Sequence, residues 1–220
     1  VALVVAGIAI VPWTLRNASE FHDFVPISTQ SGFLAAGTYN ETSDHDRVLP
    51  GAYRPASLAP SLAPIIANRS LDENELSKEL GKAGRRYAKN HPGYVPRVLW
   101  WNGLRLLSLT DGIRNDKFAY SFQGIAPGFA TAATICWYVI VLAAIAGLVL
   151  GAMRDVPWWL WIAPVLLYVS VIWISGDVRY RLPIEPFAIW LAGFAVVAAA
   201  ERLRDRPPAP QPPPRQLQPR

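Results

Sequence analysis

Two short clusters in this 220-residue chain carry the side chains best suited to chemistry on a phosphate. The run Gly176-Asp177-Val178-Arg179-Tyr180-Arg181-Leu182-Pro183 places Arg179 and Arg181 on either side of Tyr180, with Asp177 just before them and Glu185 just after. The run Pro12-Trp13-Thr14-Leu15-Arg16-Asn17 adds Arg16 and Asn17 far upstream. A guanidinium offers a planar fork of donors that matches phosphate oxygens in pairs. The plain alternative is that Arg179 pairs with Asp177 and the other arginines snorkel from apolar helices to the surface. Glu185 stands one turn inside an apolar stretch, where an ionisable group is a functional candidate. Pairing with Arg181, at a helix start that favours an acid, would account for it equally simply.

Other chemistries lack their residues. His22, His45 and His91 are scattered without metal-ligand spacing, and neither a phosphate-binding loop nor a G-x-S-x-G elbow occurs. The single Cys136 excludes a disulfide framework and reads as a small packing residue. The sequence supports no cofactor, and a divalent metal in a longer parent protein has no ligand set here. The net charge of +5 comes from bases that alternate with acids, so no nucleic-acid stripe is expected. Asn17-Ala-Ser, Asn40-Glu-Thr and Asn68-Arg-Ser match the glycosylation triplet.

The elements that must position the clusters follow from how apolar residues segregate. The chain is 52% hydrophobic with nine Trp, yet 17% charged. Residues 129–152 and 157–175 carry no charge, and 183–200 only Glu185; each approaches the ~20 residues that cross a bilayer. Trp158, Trp159, Trp161 and Trp173 lie near the ends of the middle run, where interfacial aromatics belong. Residues 1–13 are apolar but short, and read as the outer half of a fourth helix whose beginning is missing. The expected fold is thus an all-α integral membrane protein with three complete spans, half of a fourth, and a long outer segment over 14–128.

Within that segment, residues 32–64 are rich in Gly, Pro, Ser and Asn and show no sustained period, which suits a loop. Residues 70–90 read as a helix with a Ser70/Glu73 capping box, acids early and bases late. Residues 94–109 read as a second helix, with Trp100, Trp101 and a basic edge of Arg97 and Arg105. It either lies in the membrane interface or packs on its predecessor. Lys and Arg near span ends set orientation over short loops. Arg154 in the turn 153–156 and Arg202, Arg204, Arg206, Arg215 and Arg220 after the last span place the tail in the cytoplasm. The long segment and the turn 176–182 are then extracytoplasmic. The proline-rich tail, 201–220, lacks the apolar residues to fold.

The order of these motifs resembles the C-terminal half of bacterial membrane glycosyltransferases of the GT-C type, the glycosyltransferase family 39 or protein mannosyltransferase-like group. The resemblance rests on Pro12 to Asn17, on Phe24-Val25-Pro26-Ile27-Ser28-Thr29, on Tyr87-Ala88-Lys89-Asn90-His91-Pro92, and on Arg179-Tyr180-Arg181-Leu182-Pro183-Ile184-Glu185-Pro186. It extends to about Ala200. Where similar proteins continue with a glycine-rich Asn-Leu-Trp/Tyr segment, this chain reads Ser31 to Gly37. The resemblance implies transfer of a sugar from a polyprenyl-phosphate donor to a protein, lipid or glycan acceptor outside the cytoplasm. It places the catalytic carboxylate upstream of these residues. It implies that Arg179 and Arg181, with Arg16 behind them, contact the lipid phosphate, supported by Asp177, Tyr180, Glu185 and Asn17. A lipid-linked glycan transporter or a polymer ligase is the alternative, although the broken, repeated helices of transporters are not visible.

Overall fold

A computed structural model describes residues 2–110, 117, 121, 124–151 and 156–204. Among the described residues the regular structure is entirely helical. The turn 153–155 with Arg154, and the tail from Asp205 with Arg206, Arg215 and Arg220, lie outside them.

Helix α1 runs Ala2–Phe21 through Pro12, well beyond the apolar stretch that ends at Trp13. Its last turns are held by the chain that follows. Trp13 Nε1 donates to the Ile27 carbonyl at 2.7 Å and Thr14 Oγ1 to the Pro26 carbonyl at 2.8 Å. Asn17 Nδ2 donates to the Val25 carbonyl at 3.1 Å.

The stretch 32–64, expected as loop, instead contains α2 (Gln30–Thr38), α3 (Glu41–Asp44), two 3-10 turns (Ala56–Leu58 and Pro60–Leu62) and α4 (Ala63–Ile66). Helix α2 shows little apolar period because small residues (Gly32, Ala35, Ala36, Gly37) make up much of its length, and it is held by contact with α5 (Glu73–Asn90). A side-chain carbon on Gly84 would stand 2.7 Å from the Ala35 backbone, and one on Gly32 would overlap the Ser77 carbonyl. Two glycines thus let the helices touch backbone to backbone over a core of Ala36, Ala56, Ala59, Leu62 and Leu80.

Helix α5 ends at Asn90 as expected but begins at Glu73, three residues later than the expected 70, because its capping box shifts. Asp72 accepts from the Glu75 amide at 2.7 Å while Glu75 accepts from the Asp72 amide at 3.1 Å. Ser70 turns to Asn68 and Glu73 to Thr29, so the Ser70/Glu73 pair expected to cap the helix is engaged elsewhere. Helix α6 (Tyr94–Leu106) packs on its predecessor: Tyr94 and Val98 join Tyr39 and Tyr87, their rings edge to face at 6.0 Å. Its expected basic edge is not one. Arg97 pairs with Asp44, and Arg105 is buried, donating to the Pro50 carbonyl and Asn102 Oδ1.

Helices α7 (Pro127–Val149) and α9 (Glu185–Arg204) are long and apolar enough to cross a membrane. Their apolar side chains, among them Ile135, Val139, Leu142, Ile189 and Val196, are mostly exposed. That is a surface for lipid or other helices, not for water. Cys136 is also exposed, not packed as expected. The middle run is a 3-10 turn, Trp158–Trp161, followed by α8 (Ile162–Ile172), together about 24 Å long. That is shorter than the complete span expected there.

Helices α7 and α9 run parallel. Trp137 meets Arg181 just ahead of α9, and further along both helices Ala144 packs with Leu191 and Gly147 meets the Leu191 carbonyl. Helix α8 runs the opposite way: Trp161 at its start meets Phe187 and Trp190, whereas its end meets Asn102. This zigzag brings the end of α6 and the turn 177–182 to the same end of the bundle.

Two expected outcomes follow. Gly84→Ala should destabilise the α2–α5 pair by about 1–3 kcal/mol, seen as a lower denaturation midpoint in detergent. Gly93→Ala, whose added carbon meets open space, should leave the midpoint nearly unchanged. Burial raises the carboxyl pKa values of Glu41 and Asp46, but hydrogen bonds from Ser61 to Glu41, and from Leu49, Arg54 and Val48 to Asp46, outweigh it and hold both below the ordinary range. Their contribution is therefore complete above the unfolded carboxylate range and is lost as pH falls through the folded values. Thermal melts from pH 7 to pH 3 should show a loss that Asp46→Asn reduces.

Candidate functional site

The turn bearing the arginines is built on the end of α8. A helix terminus leaves its last carbonyls without partners, and here side chains from the outer helices supply them. Asn102 Nδ2 donates to the Ile172 carbonyl at 3.0 Å, Tyr39 Oη to Trp173 at 2.8 Å and Thr38 Oγ1 to Ile174 at 2.8 Å. Gly176 then passes so close to α6 that a side-chain carbon would stand 2.9 Å from Arg105 Cβ and 3.0 Å from Asn102 Cα. Ser175 Oγ accepts from the Asp177 amide at 3.1 Å, and Asp177 Oδ1 accepts from the Arg179 amide at 3.1 Å, which starts the 3-10 turn Val178–Arg181.

That turn separates its two arginines. Arg179 points outward with about half its side chain exposed; its Nε lies 3.3 Å from Asp177 Oδ2 and its Nη2 3.2 Å from Tyr180 Oη. Its guanidinium lies 4.8 Å from the Tyr180 ring centroid. Arg181 points inward and is 3% exposed. Its Nε donates to Glu185 Oε1 at 2.8 Å, its Nη1 to Ser108 Oγ at 2.8 Å, and its guanidinium lies 4.1 Å from the Trp137 ring. Arg179 is free to meet a ligand, whereas Arg181 is enclosed by protein.

Arg16 does not join them. Its guanidinium lies over Trp13 at 5.2 Å and reaches Asn17 Oδ1 at 3.4 Å, within α1. Asn17 is buried and spent on the 25–27 backbone. Of the seven expected site residues, the structure gathers Asp177, Arg179, Tyr180, Arg181 and Glu185 at one turn; Arg16 and Asn17 serve the end of α1. No family model, curated protein or solved structure matches this chain. Among the described residues, no group of three or more His, Cys, Asp or Glu side chains could hold a metal ion.

A second polar feature was not expected. Asp44, His91, Gly93, Tyr94 and Arg97 line an open cleft of about 290 Å³. Asp44 accepts from Tyr87 Oη at 2.9 Å and pairs with Arg97, while the His91 ring stacks on Tyr87 at 4.1 Å. Burial pushes the Tyr39, Tyr87 and, most strongly, Tyr94 phenols upward, so these hydroxyls remain donors at neutral pH. Asn102, Arg105 and Ser108 were also missed as parts of the turn's support. Their signal was polar residues interrupting an apolar helix.

Removing Glu185 alone leaves the enclosed Arg181 cation without its acid. Glu185→Ala should cost about 3–5 kcal/mol, whereas Arg181→Met combined with Glu185→Leu should recover much of that loss. Denaturation midpoints of the single and double variants check the difference.

Proposed function

We propose that this chain is part of a membrane-embedded transferase that moves a sugar from a polyprenyl-phosphate carrier to an acceptor outside the cytoplasm, and that Arg179 is its contact with the lipid phosphate. The observation that carries this reading is an exposed guanidinium, steadied by Asp177 and Tyr180, at the turn between two apolar helices. A carrier whose tail lies among those helices would present its phosphate at that level. The resemblance of the motif from Arg179 to Pro186 to membrane glycosyltransferases supplies the reaction class.

In this reading Arg179 neutralises the phosphate that departs when the sugar is transferred, an electrostatic stabilisation of developing charge. About half of its side chain is exposed, so the donors not engaged with Asp177 and Tyr180 are within reach of a ligand. Tyr180 can add a phenolic donor beside it. A carboxylate outside these residues activates the acceptor hydroxyl as a general base. Arg181 and Asn17 leave the phosphate-binding set because they are buried and hydrogen-bonded to protein. Arg16 leaves it because its contacts are with Trp13 and Asn17 on α1 and not with the turn.

In the full-length protein, reconstituted with a polyprenyl-phosphate sugar, Arg179→Ala should lower kcat/KM about 10–150-fold, the worth of a charge-assisted hydrogen bond. Arg179→Lys should recover only part, since it keeps the charge but not the fork. An unchanged rate in Arg179→Ala would overturn the assignment. Sidedness has its own check. Asn17 and Asn40 are buried and hydrogen-bonded, whereas Asn68 is exposed. Insertion into glycosylating microsomes should add one glycan, abolished by Asn68→Gln; no glycan at all would contradict an outer location for this segment.

A further inference from the structure

Arg181 is enclosed, yet it stands two residues from a guanidinium that faces outward. With its three partners it joins four separate parts of the chain. Glu185 belongs to the first turn of α9, Trp137 to α7, Ser108 to the segment after α6, and the arginine itself to the turn after α8. Trp137 lies about 15 Å along α7 from its start. Arg181 thus meets α7 partway along its length, and the arginine itself is enclosed while Glu185 stays partly exposed.

Ser108 is the partner that marks this arrangement as built. It is fully buried and holds a left-handed backbone conformation, φ 57°. A non-glycine residue stays in that region only where its surroundings over-determine it. Here the surroundings do so from three directions. Tyr138 Oη donates to the Ser108 carbonyl at 2.6 Å, and Trp137 Nε1 donates to the neighbouring Leu107 carbonyl at 3.0 Å. Arg181 Nη1 donates to the Ser108 hydroxyl at 2.8 Å. Helix α7 thus grips the backbone at 107–108, and Arg181 grips the side chain.

We infer that Arg181 is a positioning residue: by bridging Ser108 and Glu185 across the Trp137 ring, it fixes the turn 177–182 against α7 and aims Arg179 outward. The planar fork of arginine can hold both partners at once, with the ring beneath it. A lysine can keep the charge opposite Glu185 but cannot repeat that geometry. The functional half of this inference rests on Arg179 being the phosphate contact; the structural half, that Arg181 sets the pose of Arg179, does not.

The test uses the full-length protein in lipid nanodiscs and an arginine-selective dicarbonyl reagent, with modification at each arginine followed by mass spectrometry. In the unaltered protein Arg179 should be modified slowly and Arg181 not at all. In Arg181→Lys, and separately in Ser108→Ala, which leaves the ion pair intact, Arg179 should be modified about 5–10-fold faster, the worth of one lost hydrogen bond in the turn. In both variants kcat, normalised to the folded and monodisperse fraction so that reduced folding does not count, should fall with little change in KM for the acceptor. Unchanged Arg179 reactivity in both variants overturns the inference, as does modification of Arg181 in the unaltered protein. Polyprenyl phosphate added beforehand should slow modification of Arg179. Failure of that protection, with the variant effects intact, would count against the phosphate reading and leave the positioning role standing.

Discussion

A helix that ends against other helices has a problem at its last turn. Its final carbonyls point along the axis with no amide to meet them. Helix α8 ends in this way, and three side chains from outside the bundle, on Asn102, Tyr39 and Thr38, take its carbonyls at Ile172, Trp173 and Ile174. The rest of the architecture depends on that transaction. It fastens α2 and α6 to the bundle, and it brings Gly176 against α6. It thereby fixes where the following turn can begin.

From that fixed start the chemistry of the turn is a matter of angle. A 3-10 turn has three residues per revolution, so side chains two apart point about 120° away from each other. Arg179 and Arg181 therefore leave the turn on different sides, and the partners of Arg181 hold that orientation in place. The outward one keeps its company with Asp177 and Tyr180, and the inward one finds Glu185, Ser108 and Trp137. An enclosed cation is costly unless it is paired and hydrogen-bonded, and each of those three partners lowers that cost.

How much of this could be read from the sequence differs from element to element. The uncharged runs around α7 and α9 announce themselves because an apolar helix without a polar face has few other uses. Helix α5 is equally legible from its ordered charges, although Asp72 displaced Ser70 as its cap because Ser70 and Glu73 found other partners. Helix α2 was hidden, since its few large apolar residues, Phe33 and Leu34, set no period and it is held by backbone contact across Gly32 and Gly84. Arg97 and Arg105 read as a basic edge; only the tertiary position of α6 turns Arg105 inward and sets Arg97 against Asp44. The arginine pair itself was visible, but its division of labour was not, because it depends on a 3-10 turn that a sequence pattern does not reveal. Asn17 shows the same limit: its amide looked available and is consumed by the chain folding back along α1.

The central claim is that the outward arginine and not the inward one receives a lipid phosphate. A structure of the full-length protein with a polyprenyl phosphate bound measures this most directly. The account predicts the phosphate within hydrogen-bonding reach of the Arg179 guanidinium, with Arg181 still held by Glu185 and Ser108. A phosphate seated on Arg181, or bound away from the turn 177–182, would contradict it.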